Sequence, residues 1–161
     1  MEVTRGSRKV VATVVVQCPI SSNPICRPGH LDLSQKAFEQ LEPNLTGNGS
    51  LTGLAWKYVP CPTTENVSFV LKEPNNAAWN EILVQSHRHP ITKLEAFVDG
   101  SWRSGTRQSY NYWNVNGGNL GTAPYRVRVT DVLGQELIAN LPRAAGDLTG
   151  GATPAQFPAC Q

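Results

Sequence analysis

The chain has 161 residues, of which 40% are hydrophobic and 16% are charged, so it can form one core or two small ones and is not disordered by composition. The net charge of +2 is spread over scattered basic residues, which argues against the continuous basic track of a nucleic-acid-binding protein. We therefore expect no nucleic-acid partner. No apolar run approaches the roughly 18 residues that span a bilayer, so we expect no membrane partner either.

The first third of the chain predicts two strands and one short helix. The valine-rich run 8–17 is typical of a buried strand, because β-branched residues fit a pleated surface. Residues 34–41 begin with a capping serine and continue with good helix formers, which predicts a short amphipathic helix. Strand character returns at 51–59. The proline-rich segment 60–64 then indicates a domain boundary.

The rest of the chain predicts a β-sandwich followed by a tail. Its strand-like segments come at the short, regular spacing of a sandwich and cover residues 67–72, 79–86, 91–98, 101–104, 124–130 and 135–140. In 125–130 the odd positions are apolar and are expected to face a core. The predicted organisation is a first domain (1–62), a linker (63–66), a second domain (67–142) and a loosely structured tail (143–161).

The cysteines and histidines favour disulfide chemistry over a metal site. Four cysteines, at 18, 26, 61 and 160, are compatible with an oxidising compartment and allow three pairings. Zinc ranks lower because no close Cys-x-x-Cys pair exists. His87 and His89 share one strand face but lack further ligands nearby. We therefore expect neither a metal nor another cofactor.

Several short motifs follow one another in a recognisable order. Those in the first domain are Gln17-Cys18-Pro19, Gly29-His30-Leu31-Asp32-Leu33-Ser34, Ala37-Phe38 and Trp56-Lys57-Tyr58-Val59-Pro60-Cys61. Those in the second domain are Trp79-Asn80-Glu81-Ile82-Leu83-Val84-Gln85, Asn119-Leu120-Gly121-Thr122 and Val127-Arg128-Val129-Thr130-Asp131. Together they resemble bacterial-type expansins over residues 3–142. The resemblance implies a mostly β chain: a partial double-psi β-barrel with a short helix, then an immunoglobulin-like β-sandwich.

This resemblance implies a secreted, extracellular, non-hydrolytic protein that loosens plant cell walls and binds cellulose. It assigns the essential acidic role to Asp32, in the segment His30-Leu31-Asp32. The alternative is that Asp32 only stabilises the start of the helix. A second family aspartate is replaced by Val16, which argues against hydrolysis because glycosidases normally use two carboxylates.

The resemblance also implies a line of aromatic side chains that binds cellulose. Flat rings suit glucans because pyranose C–H groups stack on them while the hydroxyls stay hydrated. The substrate-binding residues implied are Trp79 and Tyr110, with Lys72 beside them, and with Trp113 or Tyr112 compensating for the third family aromatic, which is Ala78 here. Core packing is the alternative for every aromatic side chain, and it is our prediction for Trp102.

The resemblance implies that this chain lacks the first half of the barrel. Its exposed strand edges are expected to be covered by the remainder of a longer product, by a partner chain or by a second copy. The resemblance then implies a Cys18–Cys26 disulfide, with Cys61 lacking its usual partner. Two other functions stay open: a lytic glycoside hydrolase or transglycosylase acting on glucan or peptidoglycan, and a secreted interaction protein.

Overall fold

A computed structural model describes residues 1–15, 17–21, 23–44, 49–72, 80–121, 123–142 and 149–159. These residues are mostly β with one short α-helix, and they divide into two compact units, Met1–Cys61 and Pro62–Gln161. None of the described helices has the length and apolarity needed to cross a membrane.

The first unit contains a three-stranded antiparallel sheet and a helix. Its elements are β1 (Glu2–Arg5), β2 (Arg8–Val11), α1 (Gln35–Leu41) and β3 (Ala55–Lys57), with the strands in the order β2-β1-β3. Val3 and Val10 lie opposite each other in the sheet and form a small core with Ala37 and Leu41 of the helix. The Ser34 side chain caps α1 by accepting a hydrogen bond from the backbone N–H of Ala37. The predicted helix therefore forms, whereas the strand predicted over 8–17 ends at Val11.

Cys18 and Cys26 form a disulfide, as the family resemblance implies. Cys61 is a free thiol in the described part of the chain, and Cys160 lies outside the described residues. The three strands of this unit do not decide whether it is part of a double-psi barrel, so that assignment stays a prediction.

The second unit is one curled, nearly closed sheet of eight strands. In chain order they are β4 (Ser68–Leu71), β5 (Glu81–Gln85), β6 (Ile91–Val98), β7 (Ser101–Arg107), β8 (Tyr112–Val115), β9 (Tyr125–Asp131), β10 (Glu136–Leu141) and β11 (Thr149–Ala152). Their order in the sheet is β10-β9-β6-β7-β8-β5-β4-β11. Because β7 pairs with both β6 and β8, all eight strands are joined, and the immunoglobulin-like sandwich is not confirmed.

The inner face of this sheet forms the main hydrophobic core. Tyr125, Val127 and Val129 of β9 are buried, while Arg126 between them is exposed, which confirms the predicted alternation. The same core includes Phe69, Leu71, Ile82, Leu94, Val115 and Leu141. Outward-facing positions on these strands are therefore the ones available for binding.

The predicted loose tail is wrong for residues 149–159. Strand β11 pairs with β4, and the Thr153 N–H donates to the Val67 carbonyl at 2.8 Å. Phe157 is fully buried in the main core, and the Arg88 guanidinium donates to its carbonyl at 2.9 Å. A four-residue strand and a single buried ring form too short a pattern to be recognised in the sequence. They nevertheless attach residues 149–159 to the sheet.

Candidate functional site

Two of the predicted binding residues, Lys72 and Tyr110, meet on the outside of the second unit. Lys72 directly follows β4, and Tyr110 lies in the turn between β7 and β8. Between them lies Glu81, the first residue of β5, and Tyr112 begins β8. We call Lys72, Glu81, Tyr110 and Tyr112 the Tyr110 cluster.

Glu81 holds the cluster together through both of its carboxylate oxygens. The Tyr110 hydroxyl donates to Oε1 at 2.9 Å and to Oε2 at 3.1 Å. The Lys72 ammonium donates to Oε2 at 2.7 Å, and the Lys72 backbone N–H donates to the Glu81 carbonyl at 2.9 Å. The Glu81 side chain is only 4% exposed, so these hydrogen bonds are shielded from competing water. Lys72 and Tyr110 are therefore fixed relative to each other.

Tyr110 is 50% exposed although its hydroxyl is anchored. The Lys72 Nζ lies 4.1 Å from the ring centroid, a cation–π distance. The Tyr112 ring lies 6.1 Å away at an interplanar angle of 46°. The ammonium thus packs against the Tyr110 ring, and half of the residue remains exposed to solvent.

The turn that carries Tyr110 is itself well defined. The Gln108 N–H donates to the Tyr112 carbonyl at 2.7 Å, and the Asn111 N–H donates to the Gln108 carbonyl at 3.0 Å. Asn111 has φ +69°, a left-handed conformation that asparagine tolerates better than most residues. The Arg107 Nε donates to Asn111 Oδ1 at 2.8 Å. These bonds place Tyr110 in one position without needing its side chain to be buried.

Asp32 is exposed and lies before α1 in the first unit. Ser34, and not Asp32, caps that helix, so Asp32 is not the capping residue, while stabilisation of the helix start by its charge stays an alternative. Among the described residues, Asp32 has no hydrogen-bond or ion-pair partner. The glutamates of this unit are all engaged: Glu2 pairs with Lys9 and Lys57, Glu42 pairs with Arg5 and Arg8, and Glu39 accepts from Gln35. Asp32 is thus the unengaged carboxylate in the described part of this unit.

Relatives of the chain carry one family name. No protein-family model matches it. Expansin-YoaJ of Bacillus subtilis (strain 168) is 32% identical over 115 residues, which are 71% of this chain and 47% of that protein. Expansin-like protein 1 of Dictyostelium discoideum is 30% identical over 139 residues, covering 85% of this chain and 47% of the relative. The homologues of the chain described here are thus members of the expansin family. The chain spans about half the length of these curated relatives.

Solved expansin structures match the same chain. The crystal structure of the apo expansin of Clavibacter michiganensis gives a TM-score of 0.77 at 27% identity, over 99% of this chain and 74% of that one. A substituted variant of that expansin, solved in complex with cellohexaose, gives a TM-score of 0.77 at 25% identity, with the same coverage. The mostly β architecture with one short helix thus matches an expansin fold.

Not every aromatic residue predicted for this expansin homologue can be part of the site. Trp79 and Ala78 lie outside the described residues. Trp113 lies opposite Ile82 in the sheet and is only 5% exposed, with its side chain in the core. It therefore cannot stack on a sugar and does not belong to the predicted line of cellulose-binding aromatic side chains. Trp102, predicted to be core, is partly exposed on the outer face of β7.

Glu81 is the residue of the site that sequence reasoning missed. The available signal was a charged residue at the start of an otherwise apolar strand, Glu81-Ile82-Leu83-Val84, because a buried charge requires partners. The two histidines, His87 and His89, each contact protein groups. His87 Nδ1 lies 2.8 Å from the His89 carbonyl oxygen, and the buried His89 pairs with Asp131. No group of three potential ligands occurs among the described His, Cys, Asp and Glu residues.

The Lys72–Glu81 pair predicts a pH dependence of stability in this expansin homologue. Burial opposes ionisation of Glu81, but hydrogen bonds from Lys72 and Tyr110 outweigh burial and lower its pKa. The carboxylate therefore stabilises the fold above its unfolded pKa of about 4.3, and this stabilisation is lost as the pH falls through the lower folded pKa. We expect the wild type to lose stability below about pH 5, and Glu81→Gln to lack this part of the acid dependence. Urea unfolding at a series of pH values measures both.

Glu136→Gln is the matched control, because Glu136 is half-exposed and pairs with Arg128 at 3.5 Å. It is expected to follow the wild-type acid dependence closely. If the unfolding free energies of the wild type and Glu81→Gln changed with pH in parallel, the Glu81 carboxylate would not be the group responsible for the acid dependence.

Proposed function

We propose that the chain is an expansin-like, non-hydrolytic protein that binds cellulose and loosens plant cell walls. The observation that carries this proposal is the Tyr110 ring, half-exposed and held by Glu81 and Lys72. An exposed, rigid ring binds sugars well because little conformational entropy is lost when a pyranose stacks on it. The cellohexaose complex of the Clavibacter michiganensis expansin supports a glucan as ligand.

Lys72 adds hydrogen bonding to the apolar contact. Its ammonium is a hydrogen-bond donor bound to Glu81 Oε2, and 29% of the side chain is exposed. A donor beside a stacking ring fits a glucan, whose hydroxyls lie at the rim of the pyranose. Trp79 belongs to the same proposed surface on the strength of the family resemblance. The proposed cellulose-binding residues are Tyr110, Lys72 and Trp79.

Asp32 is the proposed acidic residue of the first unit. Its carboxylate is exposed and unengaged, so it can accept hydrogen bonds from glucan hydroxyls. A glycosidase needs a second carboxylate across the scissile bond, whereas Glu2 and Glu42 are neutralised by basic partners. We propose that wall loosening proceeds by competition for hydrogen bonds between glucan chains, without cleavage. The Cys18–Cys26 disulfide supports a secreted, extracellular location, where thiols oxidise.

Two measurements on the purified chain test this function. We expect the protein to be retained on microcrystalline cellulose and to release no reducing sugar from cellulose or xyloglucan over a long incubation. The creep of heat-inactivated wall strips under constant load measures loosening, and Asp32→Asn is expected to lower the creep rate without lowering retention.

The lytic alternative gives the opposite pattern. Reducing sugar released by the wild type and lost in Asp32→Asn would establish cleavage and would refute a non-hydrolytic mechanism. Absence of retention on every insoluble glucan tested would favour the interaction protein instead. Glu39→Gln, which changes another exposed carboxylate of the first unit, is the control for an unspecific effect of charge.

A further inference from the structure

The outer face of the second unit carries a row of apolar side chains beside the Tyr110 cluster. Val70 of β4 lies opposite Leu83 of β5, and Leu83 lies opposite Tyr112 of β8. These three strands are neighbours in the sheet, so the three residues lie on one line that crosses it. We call Val70, Leu83 and Tyr112 the Leu83 row.

The side chains of the row point away from the core. Successive residues of a strand face opposite sides of the sheet. The strand neighbours of the row residues are buried in the main core, and they are Phe69, Leu71, Ile82, Val84 and Trp113. The row residues themselves are only partly buried. Folding of the second unit therefore leaves three partly exposed apolar side chains next to one another.

Polar residues flank the row on both sides. On one side Glu81 lies opposite Asn114, and the Lys72 N–H donates to the Glu81 carbonyl at 2.9 Å. The Lys72 ammonium lies 2.7 Å from Glu81 Oε2, so the charges on this side form an ion pair. On the other side Ser68 lies opposite Gln85. The outer face thus has an uncharged apolar row between two polar ones.

The row is continuous with the exposed Tyr110 ring. The rings of Tyr110 and Tyr112 are 6.1 Å apart, and the Lys72 Nζ lies 5.8 Å from the Tyr112 ring centroid. From Tyr112 the row continues to Leu83 and Val70 at the spacing of adjacent strands, about 4.8 Å. This spacing is close to the repeat of one pyranose unit in an extended β-1,4-glucan. A glucan that stacks on Tyr110 can therefore continue over the row with one sugar on each strand.

We propose that a β-1,4-glucan chain crosses β8, β5 and β4 at right angles, with successive pyranose rings on Tyr112, Leu83 and Val70. The inference rests on the proposed cellulose binding, to which it adds residues and a direction. A pyranose chain has apolar C–H faces and carries hydroxyls along both edges, so it matches an apolar row between two polar ones. Because the row itself contains no charged residue, it favours a neutral glucan over a charged polysaccharide.

Binding isotherms of the full chain on microcrystalline cellulose test the row. Leu83→Gln is expected to weaken binding about threefold because part of one apolar contact is lost, and adding Val70→Gln should bring the loss to about tenfold. Leu83→Met keeps the apolar contact and should stay within about twofold of wild type. Ile138→Gln is the matched control: it makes a polar replacement at a residue of β10 that is 42% exposed, and it should also stay within about twofold. Urea unfolding checks that each variant is folded.

Methyl NMR of the wild-type chain tests the same contact without a substitution. Cellohexaose is expected to shift the methyl resonances of Leu83 and Val70, since sugar C–H groups would lie against them. The methyl resonances of Ile138 should not move. Unshifted Leu83 and Val70 methyls at saturating cellohexaose would overturn the proposal.

The binding data separate this proposal from the role of Tyr110. Weakened retention of Tyr110→Ala with wild-type affinity in Leu83→Gln would leave cellulose binding in place and overturn the row. An equal loss in Leu83→Gln and Ile138→Gln would also overturn it, as would self-association of the wild type that Leu83→Gln abolishes. A loss in Leu83→Gln with wild-type affinity in Tyr110→Ala would support the row and contradict the role of Tyr110. If the wild type were not retained on cellulose, both proposals would fail.

Discussion

Tyr110→Ala is expected to lower the affinity of the chain for cellulose about tenfold, equivalent to about 1.4 kcal/mol. The substitution removes the exposed ring face and the hydrogen bond that holds it to Glu81. The ring is already ordered before binding, so little conformational entropy is lost when a sugar stacks on it. The loss of affinity on removing the ring therefore reports the lost stacking contact. Binding isotherms on microcrystalline cellulose measure the change.

Two controls separate stacking from general damage. Tyr110→Phe keeps the ring and loses only the hydroxyl, so it should retain most of the affinity, within about threefold of wild type. Tyr58→Ala removes a more accessible tyrosine, 71% exposed, from the first unit and should leave cellulose binding unchanged. Wild-type affinity in Tyr110→Ala, with the protein folded, would contradict a role of this ring in binding cellulose. Combining Trp79→Ala with Tyr110→Ala is expected to abolish retention.

Phe157→Ala is expected to destabilise the second unit by about 3–5 kcal/mol, the usual cost of deleting a fully buried phenylalanine. Its ring is 0% exposed and packs in the main core, where it lies 6.4 Å from the buried His89 ring. A loss of this size is a large part of the roughly 5–15 kcal/mol that stabilises an ordinary domain. Urea unfolding followed by tryptophan fluorescence measures it.

Phe157→Leu provides the matched comparison, because it keeps most of the apolar volume and should cost less than about 2 kcal/mol. Phe38→Ala is a second control, since Phe38 belongs to the first unit and is only partly buried. If Phe157→Ala changed the unfolding free energy by less than about 1 kcal/mol, the end of the chain would not be part of the core.

The strands of the second unit were largely predictable because their signal is local. In β9 the alternation Tyr125-Arg126-Val127 follows from the period of a strand, and it survives because one face is buried and the other is hydrated. The α-helix was predictable for the same reason, since Ser34 and the helix formers after it are neighbours in the chain. Family motifs added Lys72 and Tyr110 to the candidate site.

Burial of single aromatic side chains was not predictable from local patterns. Trp102 lies in a predicted strand and is partly exposed, whereas Trp113 lies in β8, where no strand was predicted, and is in the core. Which face of a strand is buried depends on the strands beside it and on the curl of the sheet, and both involve residues far apart in sequence. The segment 149–159 was missed likewise, because its pairing with β4 joins positions about 80 residues apart.

Three conclusions followed from the amino-acid sequence: the chain is mostly β, its motifs resemble expansins, and Lys72 and Tyr110 are candidates for binding. They followed because composition, periodicity and motif order are properties of neighbouring residues. Three further facts required the three-dimensional structure: Glu81 joins Lys72 to Tyr110, Trp113 is buried, and Arg126 lies beside the rings of Phe97 and Trp102. These contacts depend on which strands pair, and strand pairing is set by the whole core and not by any one segment.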